Sequence, residues 1–91
     1  MVGVAWYRPE QWSLLRAIAA DPERLEPTYE EWVTMATKAM EDLASRGVHA
    51  VRVDVDVREL VAWCEERHRP IDGASRATFV SEWLQKHQQG T

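Results

Sequence analysis

Cysteine and long hydrophobic runs are nearly missing from this chain of 91 residues. Cys64 is its only cysteine, so a disulfide within the chain is excluded and nothing indicates a secreted, disulfide-bonded domain. No apolar run approaches the ~20 residues of a transmembrane helix. The apolar start, Met1 to Tyr7, is too short for a signal sequence and has no basic lead-in. These features predict a cytoplasmic protein without membrane contact.

Positive charge is also scarce, because the chain has 11 Lys and Arg but 15 Asp and Glu, which gives a net charge of −4. A sequence-independent nucleic-acid binder needs the opposite balance, so the composition disfavours nucleic acid as a partner. The acidic stretch from Asp21 to Glu31 is typical of a solvated loop and a helix start. The alternative is an acidic surface for a basic partner.

The short motifs of common enzymes do not occur. The four glycines are too far apart for a phosphate-binding loop, and there is no serine elbow, His-Glu-x-x-His or Cys-x-x-Cys. Asp54 and Asp56 alternate on a predicted strand and could hold a metal, but Asp56 also suits a helix cap. Cys64 and His68 are four apart, as in half of a zinc site, whose other half is missing. We therefore predict no metal and no cofactor, and a small metal-dependent enzyme is only an alternative.

Helix signals divide the chain into four helical segments within one domain, residues 1–91. Thr28 and Glu31 form a capping box after Pro27, and Gly47 ends that helix after about 18 residues. The inward positions expected on it are Trp32, Ala36, Ala39, Met40 and Leu43. An earlier helix is expected from Pro9 to Ala19, closed by Asp21-Pro22.

The hydrophobic period changes to two after Gly47, which predicts a strand containing Val51, Val53 and Val55. Asp56 then caps a third helix that ends before Pro70. Asp72 caps a fourth, which ends near Gly90. The inward positions expected on the fourth helix are Ala77, Val80, Trp83 and Leu84.

One strand needs a partner for its backbone hydrogen bonds. Within the chain the candidate is Val2 to Trp6, and outside it the candidate is the same Val48–Val55 segment of a second copy. The sequence therefore predicts a helix-rich α+β fold in the order β-α-α-β-α-α, with one or two short strands. It leaves open whether the strand pairs within the chain or between two chains.

The segment Val51 to Leu84 resembles a ribbon-helix-helix unit. It has the alternating strand Val51-Arg52-Val53-Asp54-Val55, a capped helix, a turn, and Ser75-Arg76-Ala77-Thr78-Phe79-Val80 at the second helix. The resemblance implies a dimeric DNA-binding or antitoxin-type protein that pairs strands from two chains, with Arg52 and Arg76 contacting nucleic acid. The segment departs from that family in its longer helix connection and its two strand aspartates.

The whole chain resembles a group of short bacterial proteins of unknown function. The similarity lies in Tyr7-Arg8-Pro9-Glu10-Gln11-Trp12, Thr28-Tyr29-Glu30-Glu31-Trp32 and Trp63-Cys64. It implies no activity. The chain departs from the pattern at Arg8, which caps a helix poorly.

Five tryptophans are many for this length, and each can bury on the order of 150–250 Å² in a core or an interface. A small core is least able to enclose three large rings near the start of the chain. We therefore predict that Trp6, Tyr7 and Trp12 form a partner-binding patch. The predicted function is a non-catalytic protein–protein interaction module, working as a homodimer or with another protein.

Overall fold

The structure is a computed structural model that describes residues 1–88. Four α-helices and two strands follow each other along these residues in the order β-α-α-β-α-α, which confirms the predicted α+β class. The strands are β1 (Val2–Tyr7) and β2 (Ala50–Val55), and the helices are α1 (Trp12–Ile18), α2 (Tyr29–Ser45), α3 (Val57–Glu66) and α4 (Gly73–Gln88). Short 3-10 turns, Pro9–Gln11 and Pro22–Arg24, precede α1 and α2.

The two strands pair with each other inside the chain. They run parallel, in a register from Val2 opposite Ala50 to Tyr7 opposite Val55. A parallel pair needs a long crossover, which α1 and α2 supply between the strands. This pairing decides the question that the sequence left open, because the Val2–Trp6 segment provides the partner strand.

The long helix α2 has the termini that the sequence predicts. The Thr28 hydroxyl accepts a hydrogen bond from the Glu31 N–H at 3.1 Å, as the capping box requires. Gly47 has a φ of 79°, the left-handed conformation that favours glycine after a helix. There the Val48 N–H donates to the Leu43 carbonyl at 3.0 Å, so the end of α2 leads directly into β2.

The first helix is shorter than predicted. Pro9 begins a 3-10 turn, and the α-helix starts only at Trp12. Neither Arg8 nor Gln11 provides a side-chain cap to the segment that follows it. The Gln11 amide instead donates to the Asp56 carboxylate at 2.9 Å, at the start of α3. The expected start at Pro9 is therefore wrong as an α-helix, because these side chains serve contacts distant in sequence.

Both predicted aspartate caps are present at the later helices. The Asp56 carboxylate accepts from the Arg58 N–H at 3.0 Å, and the Asp72 carboxylate accepts from the Ser75 N–H at 2.9 Å. Each bond satisfies one of the free N–H groups in the first turn. The predicted end of the fourth helix near Gly90 lies outside the described residues.

The buried face of α4 agrees with the predicted one at Val80, Trp83 and Leu84 but not at Ala77. Ala77 is exposed, whereas Ser75, Phe79 and Val80 are buried and Trp83 is half-buried. The expected inward position of Ala77 is wrong, because α4 packs against both β1 and α3 and turns the side bearing Phe79 and Val80 towards them. The core beneath it is apolar, and its members with less than 2% exposure include Leu15, Val53, Val55, Val57, Leu60 and Cys64.

Only the first half of the predicted apolar face of α2 is buried. Trp32 and Ala36 lie in the core, but Ala39 is exposed and Leu43 is half-buried. Met35 on the same helix is 46% exposed. The two-stranded sheet is too narrow to cover the whole apolar stripe of a 17-residue helix.

Gly3 permits the close approach of α4 to β1. A Cβ atom at this position would lie 2.8 Å from Val80 Cγ1 and 3.3 Å from Val53 Cγ2. We expect Gly3→Ala to lower the free energy of unfolding by about 1–3 kcal/mol, measured by urea denaturation, because the core would be overpacked. Gly73→Ala is the control, since its Cβ would meet nothing nearer than 3.6 Å. Equal stability of both variants would contradict this account of the packing.

Candidate partner-binding surface

An aromatic cluster lies at the carboxyl end of β1. Its rings are those of Trp6, Tyr7, Trp12, Tyr29 and Trp32, with paired centroids 5.0–6.2 Å apart. Such separations are typical of favourable aromatic pairs. The Tyr29 hydroxyl donates to the Tyr7 carbonyl at 2.8 Å, and Trp12 Nε1 donates to the Glu26 carbonyl at 3.2 Å. The cluster therefore joins β1 to both crossover helices.

Two of the three predicted patch residues lie in the core. Tyr7 is 5% exposed and Trp12 is 3% exposed, so the expectation that these rings lie outside the core is wrong. The crossover helices fold back over the end of β1 and enclose both rings, and burial raises the pKa of Tyr7 to about 12. Trp6 is half-buried, and its partner-binding role stays a prediction.

Arg52, a predicted nucleic-acid contact, lies over the Trp6 ring. Its guanidinium carbon is 3.9 Å from the ring centroid, within the range of a cation–π interaction. Paired residues of the register point their side chains to the same face, so Trp6, Arg52 and Asp54 share one face of the sheet. Arg52 and Asp54 are both exposed on it. This face combines an aromatic ring with charges of both signs.

Asp54 and Asp56, the two aspartates considered as possible metal ligands, contact polar side chains from the start of the crossover. Arg8 Nη2 lies 2.9 Å from an oxygen of Asp54, and Arg8 Nη1 lies 3.6 Å from an oxygen of Asp56. Hydrogen bonds from Gln11 and from the Arg58 N–H hold the pKa of Asp56 below its usual range. These contacts connect the end of β2 to the residues before α1.

Arg76, the other predicted nucleic-acid contact, is paired inside the protein. Its guanidinium donates two hydrogen bonds to Asp21, at 2.9 and 3.1 Å, and the two side chains are only 12% and 14% exposed. Asp21 also accepts from the Gly73 N–H at 3.0 Å, at the start of α4. The structure thus gives Arg76 a structural partner and records no contact between Arg76 and Arg52.

Cys64 and His68 do not share a helix face. α3 ends at Glu66, and His68 follows it in a left-handed conformation with a φ of 54°. Cys64 is 1% exposed, and burial raises the pKa of its thiol. A buried neutral thiol is a poor nucleophile and a poor metal ligand.

The outer edge of β2, called the β2 edge below, consists of the backbone groups of Ala50, Arg52 and Asp54. The Val2 N–H donates to the His49 carbonyl at 2.8 Å, which fixes the alternation: the odd-numbered residues of β2 bond to β1. The even-numbered residues therefore point their N–H and C=O groups away from β1. Within residues 1–88 these outward groups have no hydrogen-bond partner. Such groups must meet water or another chain.

The outer edge of β1 is less accessible. Its outward residues are Gly3, Ala5 and Tyr7, none of which is exposed, and the Tyr7 carbonyl already accepts from Tyr29. A groove beside this edge is lined by Met35 and other residues of α2. The β2 edge is therefore the more open of the two sheet edges.

A second aromatic group lies between α3 and α4. Trp63 packs edge-on against Phe79 with centroids 5.7 Å apart, and the Arg67 guanidinium carbon lies 4.5 Å from the Trp63 centroid. Glu82 accepts hydrogen bonds from both Trp63 and Arg67 at 3.3 Å. These contacts hold the two helices together.

Sequence reasoning missed the roles of Arg8, Gln11 and Asp21. Each contacts a side chain 45 to 55 positions away, and no local pattern links such distant residues. The only available signal was that Arg8 is a poor helix cap. A residue that does not suit its position in a helix often makes a tertiary contact instead.

We expect Trp12→Ala to lower the free energy of unfolding by about 3–5 kcal/mol, because the substitution removes a buried ring and leaves a cavity. Urea unfolding followed by circular dichroism measures this loss. Leu14→Ala is the control, since Leu14 lies on the same helix and is 39% exposed. A folded Trp12→Ala variant with unchanged stability would show that the ring does not belong to the core.

We also expect Asp21→Ala to lower the free energy of unfolding by about 3 kcal/mol at neutral pH, because it leaves the Arg76 charge unpaired. Asp42→Ala breaks an exposed pair with Arg46 and should cost less than about 1 kcal/mol. Urea unfolding of both variants measures the difference. Equal losses would contradict a structural role for the Asp21 pair.

The Asp21 contribution should depend on pH. The hydrogen bond from Arg76 lowers the pKa of Asp21 in the folded state. Its stabilising effect is thus complete above the unfolded-state pKa near ~4 and is lost as the pH falls through the lower folded-state pKa. The stability difference between the wild type and Asp21→Ala should therefore shrink in acid.

Two kinds of feature are absent from residues 1–88, a membrane-spanning helix and a metal-binding group of side chains. No helix within residues 1–88 is long and apolar enough to cross a membrane. Among the same residues, no three His, Cys, Asp or Glu side chains form a group that could hold a metal ion. Compared with known protein families, with curated proteins and with solved structures, the chain matches none.

Proposed function

We propose that this chain is a non-catalytic protein-interaction module that works as a homodimer and binds through the β2 edge. The observation that carries the proposal is the unpaired edge itself. β2 has a strand on one side only, and the outward groups of Ala50, Arg52 and Asp54 have no partner within residues 1–88. Proteins commonly use such an edge to add a strand from another chain.

The side chains beside this edge support the proposal. Arg52 lies on β2 and stacks over Trp6, and tryptophan and arginine are the residues most often found as interface anchors. The ring of Trp6 is already packed on Trp32, with centroids 5.0 Å apart. A partner would therefore meet a preordered surface and lose little side-chain entropy on binding.

The contacts of the candidate catalytic groups favour a binding role over catalysis. Asp56 caps α3 and accepts from Gln11, while Asp54 pairs with Arg8. The Cys64 thiol is buried in the core. Each of these groups already has a structural contact or position that accounts for it. DNA binding and metal-dependent catalysis stay alternatives predicted from the sequence.

The proposal predicts a dimer in solution. We expect light scattering to give a mass near 21 kDa, twice the 10.5 kDa of one chain, at concentrations above about 50 μM. Dilution towards about 1 μM should lower the average mass, because the proposed interface consists mainly of two short edge strands and small interfaces bind weakly. A mass of 10.5 kDa throughout the series would contradict the homodimer.

A further inference from the structure

We infer that two copies join their β2 edges in one specific antiparallel register, with Arg52 of each copy opposite Asp54 of the other. The two-fold axis of this arrangement passes beside Val53. The inference rests on the proposed homodimer and adds to it the interface, the strand direction and the residue pairs. The two sheets would merge into one of four strands, in the order β1-β2-β2-β1.

Symmetry fixes the direction of the pairing. When two copies use the same edge, a two-fold axis relates them, and the two strands must run antiparallel. Only residues that point outward can form the hydrogen-bonded pairs, so Ala50, Arg52 and Asp54 must face outward residues of the other copy. All outward residues of β2 have even numbers, so the register can shift only by two residues at a time.

Charge then selects one register among those allowed. With Arg52 opposite Asp54 of the second copy, symmetry produces two pairs of opposite charge. If one strand shifts by two residues in one direction, Arg52 lies opposite Arg52 of the other copy. If it shifts by two residues in the other direction, Asp54 lies opposite Asp54. Directly opposed charges stabilise a strand pair when their signs differ and destabilise it when the signs agree. The alternation of Arg52 and Asp54 is complementary to itself only in the proposed register.

The surroundings of the two side chains are compatible with this pairing. Both extend from the same face of the sheet and both are exposed, and the side chain of Asp54 is 66% exposed although it pairs with Arg8. A carboxylate can accept several hydrogen bonds at once, so Asp54 can hold Arg8 and receive Arg52 of the second copy. The Arg52–Asp54 pairs would also exchange four backbone hydrogen bonds, two at each pair.

Charge reversal tests the register directly. Arg52→Glu places a carboxylate opposite Asp54, and Asp54→Arg places a second cation opposite Arg52. We expect each single variant to raise the Kd of the dimer by about 10-fold or more. A 1:1 mixture of the two variants should form a heterodimer, because each new charge then faces its opposite. Light scattering and native mass spectrometry measure both effects.

Matched controls separate the interface from general charge effects. Arg24→Glu and Glu65→Arg make the same charge changes at exposed positions outside β2, the first in the turn before α2 and the second on α3. Both should dimerise like the wild type. Thermal unfolding of every variant checks the fold, and Asp54→Asn replaces Asp54→Arg if the latter does not fold. The neutral variant removes both pairs of opposite charge without adding repulsion, so it should still dimerise more weakly than the wild type, and an unchanged dimer would contradict the register.

The outcomes distinguish this inference from the proposed function. Loss of dimer in both single variants and its recovery in the mixture would support the register. A dimer unaffected by Asp54→Arg would overturn the register and leave the homodimer in place on another surface. A dimer lost in Arg52→Glu but kept in Asp54→Arg would overturn the register, since the proposed pairing requires both charges equally. A monomeric wild type would overturn the inference together with the homodimer.

Discussion

The parallel pairing of β1 and β2 is the constraint on which the other contacts depend. A single strand leaves its backbone hydrogen-bonding groups without partners, and here each strand supplies the partner of the other. Parallel strands cannot be joined by a short turn, so the chain between them must cross over the sheet. That crossover encloses Tyr7 and Trp12 against Trp32, and α4 covers the face with Gly3.

The same pairing leaves the outer edge of β2 without a partner strand within residues 1–88. Two strands are the minimum for a sheet, and a sheet of two strands has as many open edges as paired ones. Residues of α2 flank the β1 side, while the β2 side presents Arg52 and Asp54. Charged residues on an edge strand prevent indiscriminate pairing. An alternating pair of opposite charges also selects the register of a strand pair. It stabilises one register and destabilises the two registers that are shifted from it by two residues.

Polar contacts distant in sequence hold the layers in position. Asp21 joins the segment before α2 to the start of α4 through Arg76 and Gly73. Arg8 and Gln11 join the start of the crossover to the end of β2 and the start of α3. Asp54 and Asp56, two of the residues that suggested chemistry in the sequence, take part in these contacts.

The sequence by itself determined the helix-rich α+β class, the order of the elements and most helix ends. These features depend on local physics: the capping box at Thr28, the turn at Gly47 and the period-two alternation of β2 act over a few residues. The burial of Tyr7 and Trp12 and the pairing of Arg76 were decided only by the tertiary structure. Both features depend on which segments distant in sequence come into contact. The residues next to an aromatic or charged side chain in the sequence do not reveal whether that side chain is buried or exposed.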